Sequence, residues 1–208
     1  MMTASVHFRP LMGALLLAAL PGMAAAVEYN TVQAEKSSIR FVAKQMGVPV
    51  SGEFSRFNAR ITFDPARPEA AQAQIDVDLA SIETGSAEAN TEVKGKAWFN
   101  IAKVPAASFV SGQLKALGNG RYEAAGKMSI KGYTRDITAS FTAKREGANM
   151  VLDGSFPLQR LQYNIGEGAW ADTATVADEV QVRVHFVLGS PVTPRSEPTK
   201  PLVKQRKP

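Results

Sequence analysis

Side chains able to do chemistry are few in this chain, and their spacing decides what they could do. Among its 208 residues there is no cysteine, and the only histidines are His7 and His185. Thiol nucleophiles, disulfides and zinc sites built from His and Cys are therefore excluded. His185 stands between Val184 and Phe186, facing away from the apolar side of an alternating strand, so a Ser-His-Asp relay has no visible partner for it. Haem ligation would have to use that histidine or a methionine. Asp76 and Asp78 lie two apart on the polar side of a strand and read as solvated carboxylates. Asp172, Asp178 and Glu179 are the remaining candidates for acid–base work; they follow a turn and open a strand, where capping or solvation is the ordinary use of a carboxylate. The stretch GEGAW at 166–170 has neither the spacing nor the following helix of a phosphate-cradling loop. No metal set emerges, and a binding protein is expected rather than an enzyme.

The elements that carry these residues alternate with a period of two. Val180, Val182, Val184, Phe186 and Leu188 fall on one side, with Gln181, Arg183 and His185 on the other, which is a strand with one buried face. Ahead of it, the glycine-rich run from Tyr163 through Gly166 and Gly168 to Trp170 predicts a turn or bulged corner. Ile39, Phe41 and Ala43 form one inward row, and Phe57, Ala59, Ile61 and Phe63 a second. Ile75, Val77 and Leu79 form a third. Beyond Ala107 the alternation hardly stops. It turns at Gly118-Asn119-Gly120, Lys131-Gly132 and Gly147-Ala148-Asn149, all hairpin signals. The only helical stretch starts at Ser86, a capping residue, and carries Ala89, Val93 and Ala97 on one face before Gly95 breaks it. Trp98 and Phe99 follow as a plug across an opening.

An all-β fold with a minor α part is expected: an eight-stranded antiparallel barrel, closed so that no edge is exposed, with a short helix packed against it. The outward rows carry mixed charge and show no aromatic girdles, which favours a water-facing barrel over an outer-membrane one. Its apolar wall would comprise Phe41, Phe57, Ile61, Phe63, Ile75 and Val77 from the first half, and Phe109, Met128, Ile130, Ile137, Phe141 and Phe156 from the second.

Two terminal segments stand apart. Arg9, the apolar run Leu11–Leu20 and Ala24-Ala25-Ala26 read as a Sec-type signal peptide over 1–26; the apolar run is too short to span a membrane, and the signal predicts a periplasmic location. Residues 190–208 hold five prolines and five basic residues and predict an extended, disordered tail. Of the 24 basic and 19 acidic residues, one and none lie in 1–26 and five and one in 190–208, leaving 18 of each in the domain 27–189. That domain is neutral, so no nucleic-acid partner is expected despite the high isoelectric point.

The segments GVPVSGEFSRFNARITFD, LASIETG, KAWFNIAKVPAASFVS, MSIKGYTRDI and RLQYNIGEGAW with VADEV, in this order, resemble the YceI-like family of periplasmic polyisoprenoid-binding proteins over residues 28–188. The resemblance implies a lipocalin-like barrel around an apolar channel for a long isoprenoid, either a polyprenyl phosphate or the tail of a quinone, with no other cofactor. Arg160, Tyr163, Trp170 and Asp172 match the family's closing motif, and Arg160 is placed either against a head group at the mouth or in an ion pair with Asp172. Where many members carry a histidine before the first hairpin glycine, this chain has Gln45-Met46-Gly47, so a role of that histidine does not transfer. The resemblance also implies a carrier of isoprenoid lipid or quinone. Its rivals are a redox accessory protein that presents quinone to a cytochrome b561-type membrane partner, and an enzyme acting on a lipid or isoprenoid substrate. A homodimer is compatible with each.

Overall fold

The computed structural model describes residues 27–190; the expected signal peptide over 1–26, and the expected tail from 191 on, lie outside the described residues. Eleven strands and one α-helix follow in order: β1 (Thr31–Val32), β2 (Ser38–Gln45), β3 (Val48–Phe54), β4 (Phe57–Thr62), β5 (Gln72–Asp78), β6 (Ile82–Glu83), α1 (Ala87–Lys94), β7 (Ala106–Gly118), β8 (Arg121–Ile130), β9 (Tyr133–Glu146), β10 (Asn149–Gln159) and β11 (Glu179–Gly189). All pair antiparallel in a single curled sheet of order β4-β5-β7-β8-β9-β10-β11-β2-β3-β6, with β1 added beside β11.

The expected count of eight is corrected to eleven for two reasons. The run from Val50 to Asp64, expected as one strand, is cut at Ser55-Arg56 into β3 and β4, and the chain adds two strands of only two residues, β1 and β6. The expected full closure is also corrected. The ladder runs from β4 to β6 without joining its ends, and other bonds tie that seam. Arg56 N–H, at the head of β4, donates to Ser81 Oγ, beside β6, while the bonds from Ser55 N–H to the Ser81 carbonyl and from Asp78 N–H to the Arg56 carbonyl extend the β3–β6 and β4–β5 ladders to the same corner. At one end of the barrel the N-terminal segment crosses between strands, with Thr31 opposite Gly189 and Tyr29 bridged to Phe63.

Alternation builds the wall as expected. Along β9, Ile137, Ala139, Phe141 and Ala143 are half-buried while Asp136, Thr138, Ser140 and Thr142 are exposed. The hairpins turn through left-handed backbone at Met46-Gly47, Asn119-Gly120 and Lys131-Gly132, the twist a two-residue β-turn needs. Ser86 caps α1 by accepting from Ala89 N–H, and the helix stops at Gly95. The interior holds two apolar clusters. One gathers Tyr29, Phe63, Tyr122, Phe186 and Leu188, and the other Leu79, Ile130, Phe156, Leu158 and Tyr163. Phe63, Tyr122 and Phe141 pack ring on ring at centroid distances of 5.2–6.2 Å and fill the end crossed by the N-terminal segment.

Candidate functional site: an apolar track through the barrel

The inward rows of this wall enclose two cavities. The inner one, about 140 Å³, is lined by Ile61, Phe63, Ile75, Val77, Phe109, Met128, Ile137, Phe141 and Phe156, with Ala139, Val184 and Phe186. The outer one, about 760 Å³, is lined by Phe41, Phe54, Trp98, Phe99, Ile130, Leu158, Trp170 and Val180. Successive inward residues of one strand pass from one cavity to the next. On β11, Val180 lines the outer cavity, Val184 and Phe186 line the inner one, and Val182 lines both. On β10 the same change falls between Leu158 and Phe156. Val180 to Phe186 spans six residues, or about 20 Å of strand at ~3.3 Å per residue, so the lining is an elongated track.

The outer cavity ends at a mouth framed by Gln45, Thr84, Ser86, Glu88, Thr91 and Glu92. Glu88 and Glu92 sit one turn apart on α1. Across the mouth, Trp170 Nε1 donates to Glu92 Oε1 at 2.9 Å, while the Trp170 ring lies 5.5 Å from that of Trp98. Phe99 meets Phe54 edge-on at 6.1 Å. The Trp98 and Phe99 rings thus line the outer cavity beside these mouth residues.

Arg160 is 1% exposed, and each of its five N–H groups meets a backbone carbonyl. Nε donates to Ala177 (3.0 Å), Nη1 to Ile165 (2.7 Å) and Gly166 (3.1 Å), and Nη2 to Trp170 (2.8 Å) and Val176 (2.7 Å). A β-carbon on Gly166 would sit 2.3 Å from Nη1, so only glycine lets the backbone come this close. Burial lowers the pKa of the guanidinium, partly offset by the charge of Asp178. The Arg160–Asp172 ion pair is thus corrected: Asp172 caps its own turn through Ala174 N–H and Thr175 Oγ1, and Arg160 knits the loop that carries Trp170. Since its donors are all taken, Arg160 has none left for a head group.

Three other carboxylates singled out by spacing are likewise occupied, while Glu179 is exposed at the start of β11. Asp178 accepts from Leu161 N–H, Asp78 pairs with Arg56 at 2.7 Å, and Asp76 lies 3.7 Å from Arg60. His185 faces outward and meets Asp153 at 2.7 Å. Phe57 and Tyr163 line neither cavity. Phe57 packs edge-on against Phe186, and Tyr163 is 1% exposed, its hydroxyl buried without a partner. Sequence reasoning did not name Val182, Leu158 or Phe54 as lining. The alternation marked Val182 as inward, but alternation cannot tell a residue beside a cavity from one in solid core.

Comparison with known proteins matches the YceI-like domain to residues 30–188. The chain belongs to the YceI-like family. A UPF0312 protein of Yersinia pestis is 32% identical over 129 residues, covering 61% of this chain and 66% of the relative; the chain thus spans just under two thirds of that relative's length. One of Shewanella denitrificans is 30% identical over 139 residues, covering 66% of this chain and 72% of the relative. Among solved structures, BcnA of Burkholderia cenocepacia superposes with a TM-score of 0.74 at 40% identity, covering 75% of this chain and 98% of that one. A polyisoprenoid-binding domain from Saccharophagus degradans gives 0.59 at 15% identity, covering 80% and 99%, and shares the fold. The YceI-like barrel is therefore present here with its interior hollow and apolar.

Proposed function

We propose that this YceI-like chain is a non-catalytic carrier that threads the hydrocarbon part of a long isoprenoid lipid through the barrel. The observation that carries this reading is the track from mouth to inner cavity, continuous in its lining through Val182. A polyprenyl tail has no hydrogen-bonding group, so its affinity comes from apolar area removed from water, roughly 25 cal/mol per Å² before ordering costs. The polyisoprenoid-binding domain of similar fold and the family match support the ligand class. At the mouth the charged groups are Glu88, Glu92 and an Arg160 whose donors are occupied. A neutral head such as a quinone is favoured there over a phosphate, which would meet two carboxylates and no available cation. The leader-like segment 1–26 supports export to the periplasm.

Organic extraction of protein purified from its native compartment, read by mass spectrometry, is the test. An isoprenoid lipid at near-stoichiometric amount is expected, and recovery of none, with no uptake of added polyprenyl quinone, refutes the reading. Val182→Phe, at the junction of the cavities, is expected to weaken a long-tailed quinone at least tenfold while sparing a short-tailed one. Far-ultraviolet circular dichroism checks that the variant folds.

A further inference from the structure

We propose that the outer face of the barrel holds a second site, which binds a small phosphate-bearing solute of the pyrophosphate type. Cross-strand register puts two outward rows side by side over β2, β11, β10, β9 and β8. One row runs Ser38, His185, Asp153, Thr142, Arg121, and the next runs Arg40, Arg183, Ser155, Ser140, Glu123. All of these residues but Glu123, which lies just beyond Ser140, line a groove of about 980 Å³, walled at one side by Glu35 and Lys36 and at the other by Leu117 and Arg121.

Three features point to an anion. Arg40 and Arg183 are direct cross-strand partners, and like charges placed opposite each other destabilise a sheet; an anion between them removes that repulsion. Among the described residues, Arg183, Arg121 and Lys36 form no ion pair, and Arg40 has only an exposed contact with Glu53 at 3.4 Å. The acids within the groove are Glu35 and Asp153, and Asp153 is engaged by His185 at 2.7 Å. Between the cations the floor is short, made of Gly154 and the hydroxyl residues Ser140, Thr142 and Ser155. Guanidinium forks and hydroxyl donors around a recess are the groups that recognise phosphate oxygens. The groove also holds Leu117, Tyr122, Phe141 and Val184, but its outward-facing groups are charges and hydroxyls, and a recess with two walls suits a discrete solute better than a flat bilayer. The site is separate from the lipid track, whose mouth carries carboxylates.

Inorganic pyrophosphate is titrated into the full chain at low salt, by calorimetry and by amide chemical-shift mapping, with sulfate at matched ionic strength as control. Because five basic residues beyond 190 also attract anions, the deciding quantity is the difference between wild type and the double variant Arg40→Gln/Arg183→Gln. Both positions are exposed, so an unchanged thermal midpoint is expected. Pyrophosphate should bind more tightly than sulfate, shift the amides of Ser140, Ser155 and Arg183, and lose at least tenfold in affinity in the double variant. Lys127→Gln, whose partner Asp136 lies elsewhere on the surface, should bind as wild type. Equal affinity for sulfate overturns the proposal, as does a double variant that binds normally. Binding seen only with phosphatidylglycerol vesicles also overturns it, since the ligand is then a membrane.

Discussion

Replacing Arg160 tests whether a buried guanidinium, rather than a side-chain ion pair, holds the mouth loop together. Arg160→Met keeps an unbranched apolar stem about as far as Nε and removes five donors from carbonyls 2.7–3.1 Å away. Each charge-assisted bond contributes about 1.5–3 kcal/mol in isolation, but the sum is not realised because the carbonyls regain water when the loop opens. The net loss should resemble that of breaking a buried charged network, about 3–5 kcal/mol. With a urea dependence of roughly 2 kcal/mol per M, the midpoint should fall by about 1.5–2.5 M. Arg160→Lys offers three donors on a compact head and cannot span the ring of carbonyls, so it should lie between wild type and Met. Amide exchange should accelerate across 165–177 in both variants. Loss of under about 1 kcal/mol in Arg160→Met, with unchanged exchange there, would refute the reasoning.

Two further changes probe the interior and the acid limb. Tyr163→Phe removes a hydroxyl that is buried and unpartnered, so its thermal midpoint should equal or exceed that of wild type, with a gain of up to about 1 kcal/mol; a clear loss would reveal a bond not accounted for. Asp64 accepts from Ala66 N–H and Arg67 Nε, both at 2.9 Å, which hold its carboxyl below the ordinary value. Its contribution is therefore complete above the unfolded-chain value near 3.9 and is lost as pH falls through the lower folded-state value. Urea midpoints of wild type and Asp64→Asn should differ at pH 7 and converge near pH 2; a gap that persists at pH 2 would show that charge is not the cause.

Much of the wall was legible in the residues themselves. Strand β9 shows its two faces in an unbroken alternation, and Lys131-Gly132 or Asn119-Gly120 can hardly be other than turns. The cut at Ser55-Arg56 also left a trace, since the inward parity changes from Phe54 to Phe57, which an uninterrupted strand cannot do. Two-residue strands such as β6 carry no periodic signal at all. The role of Arg160 was hidden because its partners are backbone carbonyls, which every residue has. The facing of Glu88 and Glu92 toward the mouth depends on how α1 docks, which its own short sequence does not specify. Hollowness was the least legible property, because it is a deficit of volume summed over many strands.

The pairing of Thr31 and Val32 with Gly189 and Leu188 brings the start and finish of the domain together across more than 150 residues. A chain that reaches its folding compartment N-terminus first holds this early segment without its mate until the last strand arrives. Hairpins such as β8–β9 can zip locally in microseconds, but the final docking has to await loop closure over nearly the whole length. High contact order of this kind slows folding, and the barrel stays unsealed until the whole domain is present.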